Sequence, residues 1–153
     1  MRKSSSRASP EDCADAVLDC LRLTARFLIS SARGSTAGYQ LTPPQFRVLD
    51  YLRSNPGASL SEVADHLGVR QPTASVTVFR LVRDKLVRRT TDPAERRRIA
   101  LNLTDQGSKL IGETRSALRR RLSSMLTEIK PNDLADLAAG LAVLNTALAQ
   151  HSA

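Results

Sequence analysis

Between Gln71 and Arg98 the chain collects side chains suited to gripping a polyanion that carries readable edges. In Gln71-Pro-Thr-Ala-Ser-Val-Thr-Val-Phe-Arg80, the residues Ala74 and Val78, with Leu81 and Val82 beyond, share one face at helical spacing. Gln71, Thr73, Ser75, Thr77 and Arg80 are left to point outward, with Pro72 at the helix start. A glutamine amide pairs bidentately with adenine and a guanidinium with guanine, while serine and threonine hydroxyls reach base edges or phosphates. The plainer reading has some of these hydroxyls bonding within the helix, Thr77 half-buried, and Phe79 packed at the helix margin. A second group, Asp92-Pro-Ala-Glu-Arg-Arg-Arg98, mixes acids with a basic run. A carboxylate of Asp92 or Glu95 bonded to one arginine would stiffen the segment and aim the remaining charges. Arg97 is the first candidate for insertion into a minor groove, with Arg96 and Arg98 beside it; the plainer reading is a solvated charge run. Arg88 and Arg89, neighbours on an expected strand, divide into one phosphate contact and one solvent-facing charge.

Charge distribution supports this grouping. The 153 residues carry a net charge of +8, and the isoelectric point is near 10.5. From Arg70 to Ala100 nine basic residues stand against three acidic ones, a local net of +6. Concentrated positive charge is the footprint of a nucleic-acid binder, whereas the bare total would not be.

Other chemistries find little footing. No Gly-x-Ser-x-Gly, His-Glu-x-x-His or phosphate-cradling glycine loop is present, and His66 and His151 have no acid or nucleophile at motif spacing, so no catalytic residue and no enzyme activity is expected. No cysteine and histidine spacing fits a metal, and no cofactor is expected. Cys13 and Cys20 lie seven residues apart on one expected helix, about 10 Å along its axis, too far to bridge within that helix. Their ordinary reading is as small buried hydrophobes. No apolar run approaches the roughly 20 residues of a membrane span, and the acids after the basic start break any leader pattern. A cytoplasmic protein without membrane contact is expected.

These side chains need elements to hold them. Thr42, Pro43 and Gln45 form a helix start with a capping box, and Leu41 with Phe46 suits a hydrophobic staple; that helix reaches about Arg53. Ser59 and Glu62 repeat the box, and Gly68 marks a stop. The next helix spans about Pro72–Asp84 with Gln71 at its N-cap, since a residue before proline is pushed from helical geometry. Leu86–Leu103 reads as a basic β-hairpin. Only 3% of residues are aromatic and there is no Trp, so the core must be aliphatic. Residues 1–9 read as a disordered basic tail, Pro10 to about Ser31 as a long first helix, and Gly34–Gln40 as a loop. Helices starting at Thr104 and Pro131 carry Leu110, Ile111, Leu118, Leu122, Met125, Leu126 and Ile129, then Leu134, Leu137, Leu141, Leu144 and Leu148. With the first helix they hold more apolar surface than surface helices need, so each other or a second copy must cover it.

Helix, turn, helix and basic ribbon together outline a winged helix-turn-helix. The runs Leu41-Thr-Pro-Pro-Gln-Phe-Arg-Val-Leu49, Leu60–Val69, Pro72-Thr73, Leu86–Arg89, Asp92–Arg97 and Leu101–Gly107, in that order and spacing, resemble the MarR-type transcriptional repressors of bacteria and archaea. The motifs cover about Leu41 to Leu110, and the helix layout covers the whole chain. The resemblance implies a mainly α fold with a small β-hairpin wing. A winged lobe at 41–103 would join a helical dimerisation region at 10–33 and 104–151. It further implies a homodimer on a palindromic operator in double-stranded DNA, in many members released by a small aromatic or phenolic effector. Other members respond to thiol oxidation, which makes Cys13 and Cys20 redox candidates, although Tyr39 and Tyr51 are not at the expected supporting positions. A sequence-indifferent architectural DNA coater is the rival of a different class. This chain departs from the pattern at Ala94 and Glu95 in the wing, at Arg70 in place of a polar N-cap, and at Val76 where arginine is common. Lys85 replaces a helix-ending glycine, and a left-handed backbone there would cost roughly 1 kcal/mol.

Overall fold

The structure, a computed structural model, describes residues 9–32, 41–91 and 99–151. The chain divides into two compact units, Met1–Thr114 and Arg115–Ala153. In chain order the elements are α1 (Pro10–Ala32), α2 (Pro43–Ser54), α3 (Leu60–Leu67), α4 (Gln71–Arg83), β1 (Val87–Thr91), β2 (Ile99–Leu103), α5 (Asp105–Leu126) and α6 (Pro131–His151). The fold is thus mainly helical with a two-stranded hairpin, as the sequence predicts.

The helix starts are chemically specified. At α2 the Thr42 hydroxyl accepts from the Gln45 amide while the Gln45 side chain accepts from the Thr42 amide. Ser59 and Glu62 repeat this reciprocal pairing at α3. Ser9 and Asp12 form a third such pair, at 3.0 and 3.1 Å, at the start of α1. Composition alone assigns Ser9 to the tail; its hydroxyl instead satisfies an amide of the first helical turn. The side chains of Leu28 and Ile29, the expected Gly34–Gln40 loop and residues 1–8 of the tail lie outside what is described.

One aliphatic cluster holds the winged part together. Val48, Leu49 and Leu52 of α2, Val63, Ala64 and Leu67 of α3, and Ala74, Val78 and Leu81 of α4 close on Leu86, Val87 and Leu101 of the hairpin, with Leu110 and Ile111 from the first turns of α5. Among the described residues no polar or charged side chain is buried. The strands pair antiparallel from Val87 opposite Leu103 to Thr91 opposite Ile99. A link absent from the sequence reading extends this pairing: Ala58, in the α2–α3 connection, bridges Leu101, through Leu101 N–H to Ala58 O at 2.8 Å and Gly57 N–H to Leu101 O at 3.0 Å.

The corner between α4 and α5 is drawn tight. Lys85 has φ 58°, the one positive value on a non-glycine residue among those described, so the backbone there is left-handed. The Thr104 hydroxyl donates to the Lys85 carbonyl at 2.6 Å and accepts from the Gly107 amide at 3.0 Å, capping α5 and tying it to the turn. Gly107 lies so close that a Cβ there would come 2.0 Å from the Leu86 carbonyl oxygen. α5 ends at Leu126, so Ile129 follows the helix rather than belonging to it.

The remaining helices bury little within one chain. On α1, Leu18, Leu21 and Leu23 are exposed, and α6 has no buried residue although Leu134, Leu137, Leu141 and Leu148 line its length. Cys13 and Cys20 are exposed rather than buried, on a stretch of α1 that has no buried residue among those described.

Candidate nucleic-acid interface

The geometry of α4 begins with what fixes its neighbour. Gly68 takes the left-handed conformation that only glycine adopts freely, φ 69°, and ends α3. The Arg47 guanidinium from α2 donates to the His66 and Leu67 carbonyls at 2.7 and 3.3 Å. A cation at a helix carboxyl end satisfies carbonyls the helix leaves unpaired and opposes its dipole. His66 stacks on Tyr51 with ring centroids 4.3 Å apart. Its pKa is lowered, chiefly by the partial burial of the ring and next by the nearby Arg47 charge, with Asp50 working the other way.

The turn leads into α4, whose N-cap is Arg70 and not Gln71. The amides of Thr73 and Ala74 both donate to the Arg70 carbonyl, so the helical ladder starts one residue earlier than expected. The bias that Pro72 places on the residue before it is a preference, which the hydrogen-bonded turn outweighs. No side chain caps α4.

Around α4 the two faces separate as expected for the core: Ala74, Val78 and Leu81 are fully buried and Val82 partly so. Of the outward candidates, Gln71, Pro72, Thr73 and Arg80 are exposed, while Ser75 and Thr77 are half-buried at the edges of the core face. Arg83 is exposed and its Nε donates to Asp84 at 3.0 Å. Among the described residues neither Arg70 nor Arg80 is paired with a carboxylate. Phe79 corrects the sequence reading: it does not pack at the margin but stands 59% exposed, and Val76 is 53% exposed. Helical periodicity explains this, because residue 79 falls beyond the arc that α2, α3 and the hairpin cover.

In the hairpin, Arg88 and Arg89 are both exposed, and the Asn102 amide donates to the Thr90 hydroxyl at 3.2 Å across the strands. Asp92, Glu95, Arg96, Arg97 and Arg98 lie outside the described residues, as does Tyr39. Among the described residues no cluster of metal-ligating side chains occurs, and no helix is long and apolar enough to cross a membrane.

Comparison with known proteins agrees with this geometry. Residues 39–98 match the model of the MarR family. The HTH-type transcriptional repressor MdtR of Bacillus subtilis is 33% identical over 105 residues, covering 67% of this chain and 68% of that protein. The crystal structure of RV1404 from Mycobacterium tuberculosis superposes with a TM-score of 0.79 at 25% identity, over 95% of this chain and 98% of that one. FabT of Streptococcus pneumoniae, solved in complex with DNA, shares the fold with a TM-score of 0.78 at 17% identity, over 93% and 99% of the two chains.

Proposed function

The chain belongs to the MarR family of transcriptional regulators, which bind DNA through a winged helix-turn-helix, and from that premise we propose that it acts as a homodimeric repressor of a palindromic operator. Its relatives are regulators of transcription, a class without enzymatic activity. The observation that carries the proposal is the division of α4 into an aliphatic inner face and an outer face that bears Gln71 and Thr73 in a first turn no side chain caps and Arg80 nearer its carboxyl end. A helix so presented enters a major groove with its first turns against the bases. Ser75 and Thr77, half-buried, serve phosphates at the groove edge, and one of Arg88 and Arg89 holds the backbone beside them while the other faces solvent. The wing arginines Arg96, Arg97 and Arg98, braced by Asp92 and Glu95, reach the adjoining minor groove.

Two copies are needed because the operator read by one α4 is short. α1, α5 and α6 form the dimer region in this proposal, which covers the leucines those helices expose within one chain. Paired lobes then meet successive major grooves about one helical turn apart. A small aromatic or phenolic effector that favours a different lobe spacing lowers operator affinity by its preference for that state. The test is selection of duplexes from a randomised pool, followed by titration against excess random duplex. A recovered palindrome that stays bound is the expected result; binding that random duplex competes away equally identifies a sequence-indifferent coater instead.

A further inference from the structure

The outward centre of α4 is not polar. At 100° per residue, Val76 points about 170° away from the mean direction of the buried Ala74, Val78 and Leu81, with Phe79 about 60° to one side of it and Arg80 about 40° to the other. Val76 and Phe79 are 53% and 59% exposed. Single exposed hydrophobes are common and mean nothing by themselves. Here two large ones are adjacent, three residues apart on the helix, and framed by the exposed Thr73, Arg80 and Arg83.

The major groove offers one apolar feature, the 5-methyl group of thymine. We propose that Val76 and Phe79 form an apolar reading pair that contacts thymine methyls, so that this chain selects A·T pairs at the centre of each half-site by methyl recognition. The cations beside the pair supply the match to DNA rather than to an apolar protein surface: Arg80 and Arg83 are placed to meet phosphates or purine edges while the apolar pair faces the groove floor. Spacing agrees as well. Three residues advance about 4.5 Å along a helix, close to the 3.4 Å step between bases on one strand, so the two side chains address neighbouring positions. A β-branched valine, stiff at χ1, holds its methyls at a fixed place.

This inference rests on the DNA-reading role given to α4 above, and its test separates the two. The full-length chain is titrated with a duplex selected from the randomised pool and with the same duplex carrying deoxyuridine for thymidine, first throughout and then one position at a time. Deoxyuridine keeps every hydrogen-bonding edge and removes only the methyl. The expected loss is about fourfold in affinity for each methyl read, the scale of burying one methylene-sized group. Val76→Ala and Phe79→Ala change exposed positions. They should keep the thermal transition, bind the thymidine duplex more weakly, and no longer distinguish thymidine from deoxyuridine at their own positions. A wild-type chain that binds the selected duplex but ignores every substitution overturns the methyl proposal alone. Variants that keep full discrimination, or that change only the oligomeric state, overturn it too, the latter by giving the pair to contact between copies. Failure to retain any selected duplex overturns both readings.

Discussion

Lys85 carries a left-handed backbone, φ 58°, on a side chain whose Cβ opposes it. Lys85→Gly should raise stability by about 1 kcal/mol, read as a higher urea midpoint with unchanged slope. An unchanged midpoint would mean that the turn carries no strain. Gly107 predicts the opposite sign. A methyl there meets the Leu86 carbonyl oxygen, which belongs to backbone and cannot swing aside. Gly107→Ala should cost about 2–3 kcal/mol, the scale of an overpacked interior, and a wild-type melting curve would refute the close approach. His66 supplies a pH dependence. Its folded pKa lies below the ordinary 6.5, first through partial burial and then through Arg47, so the unfolded chain binds a proton more readily. Stability is therefore full above about pH 6.5 and declines as the pH falls from there toward the folded value. His66→Gln should flatten that part of the stability–pH profile, and an equally steep profile in the variant would assign the slope to other groups.

At the scale of elements, the turn before α4 depends on a contact from another helix. Arg47→Ala removes both guanidinium bonds to the end of α3, and the exposure of that site limits the expected loss to about 1 kcal/mol. Hydrogen exchange checks it: amides at the α3 carboxyl end and the turn should exchange faster than those of α2. What the sequence made legible divides along the same line. Thr42 with Gln45, Ser59 with Glu62, and Gly68 were readable because each device closes within four residues. The role of Arg47, the bridge from Ala58 to Leu101 and the double duty of Thr104 were not, since their partners lie about twenty to forty residues away. The start of α4 lies one residue before the position that the proline preference alone predicts, because a hydrogen-bonded turn competes with that preference. The exposure of Phe79 follows from its angular position on the helix, which a margin packing reading does not capture. At the candidate interface the outward set was readable from periodicity, but the apolar centre of that set needed the surrounding elements in place.

For the whole molecule, every buried apolar residue lies between Leu41 and Ile111 among the described residues, while α6 has no fully buried residue. Removing everything after Ile129 should leave the winged core folded, with its cooperative melt, and yield a species that sediments as a single copy. A truncated chain that still sediments as a pair would refute the part given to α6. The interior described above has a further consequence. Among the described residues it contains aliphatic side chains and no polar anchor, so no side-chain hydrogen bond within it dictates which of leucine, isoleucine or valine stands where. Shape is dictated at the corners instead, by a few hydroxyls and glycines. Over generations of descent such an architecture should let its centre drift among greasy residues of like volume, while Thr42, Ser59, Gly68, Thr104 and Gly107 hold their places.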